Sequence, residues 1–229
     1  MKLLNYFMKS KIKYLIVFIV VIISFYLYKL NSLAIEGNKI FEVRCTKVNP
    51  PLIAYKNSFL SFADALKTPN KYTDNEVKNF FYDYIEQMRL YVPEETKWLE
   101  INQKYLDRWD FKLIEPWYIK QAGEYQQKMY EGYRDDAKYM LEVYDSGGTN
   151  EELQSKFQEA RDRRDEFSQK YFELFDRASE IRDIRKIFSN VPVPSGCTEE
   201  NMTIPNTYGV LDTKTSEPSP VPINPEITS

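Results

Sequence analysis

The sequence predicts an all-α protein with a single N-terminal transmembrane helix, an extracytoplasmic bundle of long helices and a disordered C-terminal tail. Three observations lead there. An unbroken apolar run follows closely on a basic N-terminus. Apolar and aromatic residues then recur at alternating four- and three-residue spacing between Asn57 and Ser189, the spacing of a bundle or coiled-coil seam. After Asn190 the chain holds seven of its twelve prolines and one aromatic residue, Tyr208. With 229 residues, 43% hydrophobic and 28% charged, the chain as a whole is neither disordered nor fibrous.

Residues 1–13 read as a basic cytoplasmic segment and 14–30 as a transmembrane signal-anchor. Tyr14 to Tyr28 holds no charge, and Ile12 to Leu30 carries only Lys13 and Lys29, near its ends. Nineteen helical residues rise about 28 Å, against a hydrocarbon core of about 30 Å. The end lysines snorkel to headgroups, and Tyr14, Tyr26 and Tyr28 suit the interfacial belt. Lys2, Lys9, Lys11 and Lys13 precede the run, so the positive-inside rule holds that end in the cytoplasm and the body outside. The alternative is a secretory signal cleaved after Ala34, since Ser32-Leu33-Ala34 is a small-x-small site; the body is then secreted or periplasmic. Mitochondrial import is disfavoured, because the basic segment has no Arg.

Residues 31–56 form a lead-in segment, with a short strand expected over Ile40–Val43 and Val48 and a stop at Pro50-Pro51. Residues 57–189 form the bundle. A first helix covers Asn57–Leu66, and Thr73-Asp74-Asn75-Glu76 matches a capping box for a second, over 75–111. Its stripe is Val77, Phe81, Tyr84, Met88, Tyr91, Trp98, Ile101, Tyr105 and Trp109, with a kink expected at Pro93. Pro116 opens the next helix, which runs to about Tyr144 and contains Gly123 and Gly132. Glycine is costly inside a helix, so each is read as a site of close approach. Asp145-Ser146-Gly147-Gly148 is a turn, and Thr149–Glu152 a second capping box. The last helix runs to about Phe188, antiparallel to its predecessor, with Arg164 the one residue out of pattern on its seam. Residues 190–210 read as an irregular strap and 211–229 as a disordered Pro/Ser/Thr-rich tail.

Cys45 and Cys197 are the only cysteines and flank the helical region. In an exported body they are expected to pair, closing a loop worth at most about 5 kcal/mol. Two cysteines alone cannot complete a metal site.

Composition excludes several function classes. Histidine is absent, which removes Ser-His-Asp and Cys-His catalysis and His-ligated metals. Residues 1–30 hold five lysines and no acid while the whole chain is −3, so the remainder is −8 and nucleic acid is not an expected partner. The acid pairs Glu94/Glu95, Asp135/Asp136 and Glu151/Glu152 are read as capping or solvated groups rather than a glycosidase pair. Ion pairs along one helix account for Arg161, Arg163 and Arg164. Residues 145–152 lack a calcium-loop pattern, and Asn201-Met202-Thr203 is a lone glycosylation sequon. Of the 35 aromatic residues, 26 lie in residues 51–190. Most fall on seams, whereas Tyr82, Trp117, Tyr130 and Tyr139 fall off them and are candidates for a partner-facing patch.

No catalytic, metal or cofactor residue is expected. The expected role is a non-enzymatic scaffold, adaptor or complex subunit that contacts membrane lipid through residues 14–30 and an unidentified protein or a second copy through its helices. The alternative is an exported ligand-binding module with an aromatic-lined pocket, or else a carboxylate-based enzyme acting on glycans.

Overall fold

The chain meets no proline before Pro50 and no glycine before Gly37, so nothing stops a helix begun at its N-terminus. In the computed structural model, which describes residues 2–68, 70–147, 151–188 and 196–204, helix α1 runs over Lys2–Val43. It passes without a break through a π-helical turn at Arg44–Val48 into α2, Asn49–Lys67. The expected strand at Ile40–Val43 and the helix start at Asn57 are therefore both corrected. Pro50 and Pro51 lack N–H groups to donate back along an α-helix. The wide turn just ahead of them absorbs that loss. Asn49 N–H reaches five residues back to the Arg44 carbonyl, and the prolines occupy the first turn of α2, where no donor is needed.

Helix α3, Asp74–Leu106, returns antiparallel. Thr73 accepts from the Glu76 N–H while Glu76 accepts from the Thr73 N–H, so the expected capping box forms. The helix continues as one element through Pro93. It ends at Asp107, and Arg108 takes an extended conformation before the short α4, Trp109–Ile114. This break corrects the expected seam. Arg108 bonds Asp110 and Glu36, the chain rotates, and Trp109 is 63% exposed. Ile101, also placed on the seam, lies at its margin and is exposed. Helix α5, Trp117–Asp145, begins after Pro116, as expected, and Gly147 turns the chain in the left-handed region at φ 73°. Helix α6, Glu151–Phe188, packs antiparallel on α5, and a short α7, Glu199–Met202, is N-capped by Thr198.

No strand occurs among the described residues. Thr149 and Asn150 of the second capping box, residues 190–195 and 205–210 of the strap, and the tail 211–229 lie outside them.

The α1 side chains from Ile12 to Tyr28 are exposed, and burial begins at Leu33. From there α1 is a core element. Ile40, Val48 and Leu52 pack with Tyr84, Ile85, Met88, Tyr91, Trp98 and Leu99 of α3 and Ala137 of α5. A second, smaller cluster joins Leu33 to Leu106, Phe111 and Ile114. Tyr55 stacks on Tyr84 and Tyr91, each with centroids 5.5 Å apart, so part of the aromatic content builds the core.

Candidate functional site

The most unusual chemistry sits where the π turn meets α3. The turn faces Arg44 inward, leaving it 3% exposed, opposite a fully buried Glu95. The guanidinium grips the carboxylate with both arms, Nη1 to Oε1 at 2.7 Å and Nη2 to Oε2 at 3.3 Å. It lies between two aromatic faces, 4.3 Å from the Trp98 centroid and 3.4 Å from that of Tyr130. The Trp98 indole N–H donates to the Ile40 carbonyl at 3.1 Å, fixing that wall to α1. Burial alone would lower the Arg44 pKa, but the Glu95 charge, the Glu95 hydrogen bond and the neighbouring Tyr130 and Tyr91 together outweigh it and hold the guanidinium more firmly protonated. Burial, reinforced by the same carboxylate, pushes the Tyr91 phenol up. The bidentate pair ties the π turn to α3 inside the core.

This centre corrects the reading of Glu95 as a helix-start acid. No helix starts there, since α3 runs through Pro93, and Glu94 is instead a surface acid paired with Lys97 at 2.6 Å. A sequence signal was present. Tyr84, Met88, Tyr91, Glu95, Trp98 and Asn102 keep four-three spacing, so Glu95 and Asn102 stand on the seam itself. Asn102 likewise finds a buried partner, donating to Gln127 at 2.8 Å. Arg44 had no such signal, because the π turn shifts its register.

Cys45, next to Arg44, is bonded to Cys197 across 152 residues. The strap sits close. A Cβ on Gly196 would collide with the Thr46 side chain, and Asn49 Nδ2 donates to the Asn201 carbonyl at 2.8 Å. Asn201 donates its own amide to the Gly196 carbonyl at 2.7 Å. A glycan on this sequon would cost that bond.

A second polar cluster joins α5 to α6. Gly132 permits it, since a Cβ there would lie 2.7 Å from Arg164 Cβ and 2.8 Å from its Cα. At Gly123 the close neighbours are side chains instead, the tip of Leu106 at 2.7 Å and the Phe111 ring at 3.9 Å from a Cβ placed there. With the backbones this near, Arg164 reaches Asp136 at 2.8 Å and Arg163 reaches Asp135 at 3.4 Å. Arg163 and Arg164 therefore bridge to the neighbouring helix, and Asp135 and Asp136 are not solvated, both corrections to the single-helix reading. Burial pushes Asp136 up to about 6 against the opposing charges of Arg164 and Arg161. Glu152 pairs with Lys156 at 2.6 Å on the α6 surface.

The four off-seam aromatics do not come together. Tyr130 covers Arg44 and meets Trp98 edge-on, with centroids 5.3 Å apart, so it belongs to the core. Tyr139 is half-buried. Tyr82 and Trp117 are exposed, 44% and 57%, but lie at opposite ends of the body. Among the described residues no cluster of three His, Cys, Asp or Glu side chains is placed to hold a metal. A shallow, open depression of about 400 Å³ lies on α1 beside Tyr28, Ser32, Ile35 and Lys39.

No protein-family model, curated protein or solved structure matches this chain.

Proposed function

We propose that this protein is a single-pass membrane protein whose extracytoplasmic helical body serves as a scaffold, adaptor or subunit of a larger assembly. The observation that carries the reading is that the anchor and the core share one helix. The apolar stretch that exposes every side chain from Ile12 to Tyr28 continues, unbroken, into a segment whose Leu33, Ile40, Cys45, Val48 and Leu52 are buried. The body is thus held rigidly to the span rather than hung on a linker.

The same continuity supports a retained anchor over a cleaved signal. Cutting after Ala34 would remove Leu33, which is fully buried against Leu106, Phe111 and Ile114. It would also remove the carbonyl that accepts from Tyr105 at 3.1 Å, and the Tyr26 and Lys29 contacts to α4. The disulfide fits an oxidising compartment outside the cytoplasm. A non-enzymatic role is supported by what the candidate carboxylates do: Glu95, Asp135 and Asp136 are tied to arginines within helix packing.

In-cell cross-linking with mass spectrometry of the membrane fraction tests this role. A reproducible protein or second copy cross-linked to residues 75–190 is expected. Recovery of the monomer alone, with a melting temperature raised by a small ligand, would replace the scaffold with the binding-module reading.

A further inference from the structure

Large apolar side chains left exposed in a folded body need a reason, and three of them follow one another closely along the chain where α4 meets α5. Helix α4 buries Asp110, Phe111 and Ile114 and turns out Trp109, 63% exposed, and Leu113, 74% exposed. These are four apart and share a helix face. Trp117, 57% exposed, follows at the start of α5.

The height of this patch is set by contacts with α1. Tyr26 donates its hydroxyl proton to the Ile114 carbonyl at 3.3 Å. Lys29 reaches Asp110 at 3.3 Å, and its ammonium lies 5.3 Å from the Trp109 ring centroid. Tyr26 belongs with Tyr28 to the aromatic belt at the outer end of the apolar run, and Lys29 is its snorkelling position there. The patch is therefore level with the end of the stretch that crosses the bilayer, not with the body above it.

We propose that α4 and the first turn of α5 form an interfacial wedge, with Trp109, Leu113 and Trp117 seated in the headgroup boundary of the same bilayer that α1 crosses. This rests on the reading that α1 is retained as an anchor. Tryptophan prefers that boundary because its ring is amphipathic, and a short amphipathic helix lies in the plane there. The flanking charges suit it. Lys112 and Lys120 border the patch; Lys112 pairs with the exposed Asp107 at 2.8 Å, and Lys120 donates to the Lys112 carbonyl at 2.9 Å. Three side chains among lysines match a lipid surface better than the broad apolar face a second copy needs. The wedge gives the body a second attachment beside the single span, so its tilt on the membrane is set by two elements.

The third tryptophan supplies an internal control. Trp98 is 3% exposed and bonded to Ile40, eleven residues beyond Lys29 along α1. The full chain is reconstituted into phosphatidylcholine vesicles brominated near the glycerol end of an acyl chain, and its fluorescence is compared with that of Trp109→Phe/Trp117→Phe. The wild type is expected to float with the vesicles and lose about half its emission, while the double variant floats equally and is barely quenched. Its remaining blue-shifted Trp98 emission reports that the fold is intact. A wild type that floats but is quenched no more than the double variant overturns the wedge and leaves the anchor standing. A full chain that does not float with the vesicles overturns both.

Discussion

Along α3, Tyr84, Ile85, Met88, Tyr91, Trp98 and Leu99 are all buried, whereas along α6 Ala160 alone is fully buried among the described residues. The two regions are held by different physics. The wall made by α1, the π turn, α2 and α3 excludes water, seals one bidentate ion pair inside and is closed by a disulfide. The α5–α6 hairpin lets two backbones touch at Gly132 and then bridges them with arginines, carboxylates and ring faces, as where Arg164 lies 5.2 Å from the Tyr133 centroid. Burial makes a cooperative unit, while partly exposed ion pairs contribute little each. The wall is therefore expected to set global stability, and α6, which buries least, to open first.

The largest effect expected is on the wall. Replacing both cysteines, Cys45→Ser with Cys197→Ser, should lower unfolding free energy by up to about 5 kcal/mol under oxidising conditions, read from a denaturant melt. An unchanged midpoint, with both thiols freely alkylated in the wild type, would show that the strap does not close the wall. Next, Glu95→Ala should cost about 3–5 kcal/mol, because it leaves a buried guanidinium uncompensated, whereas Glu94→Ala should stay within about 0.5 kcal/mol. Equal losses from the two neighbours would erase the distinction between core and surface in α3.

The hairpin should respond to pH. Asp136 has a folded-state pKa of about 6, above its ordinary 3.8, so the folded chain binds the extra proton between those values. Its contribution is then most favourable below about pH 4 and falls as pH rises through 6, by up to about 3 kcal/mol. In thermal melts the wild type should lose stability relative to Asp136→Asn as pH rises from about 4 through 6, and parallel curves would remove the account of this carboxyl. Smallest is Gly132→Ala, expected to cost about 1–3 kcal/mol because backbone atoms of Arg164 must give way. Hydrogen exchange should locate that loss in α5 and α6 alone, and α6 amides should exchange before those of α3 in the wild type too. Uniform protection across both helices would contradict the division drawn here.

Much of the wall was legible because burial follows spacing: Tyr84, Met88, Tyr91 and Trp98 were marked by period alone. The Thr73 cap and the cysteine pair were legible from local chemistry and count. What escaped depended on register or on two helices at once. The π turn at Arg44–Val48 carried the helix past Pro50-Pro51 and rotated Arg44 inward, which no periodic template anticipates. Glu95 occupied a seam position, yet its charge argued for the surface until a partner 51 positions away was found. Trp109 continued the stripe by spacing, but Arg108 broke the helix one residue earlier to reach Asp110 and Glu36. Arg164 stood out of pattern on its seam, but nothing in the sequence marked Asp136 as its partner, and the two meet only where Gly132 lets the helices close.

The central claim is that one helix serves as both membrane span and core element, so the span is not removed. The intact mass and N-terminal sequence of the protein taken from its native membrane test this most directly. The account predicts a membrane-bound chain that retains Tyr26, Lys29 and Leu33 with the Cys45–Cys197 bond formed. A soluble exported chain beginning at Ile35, still folded and disulfide-bonded, would contradict it.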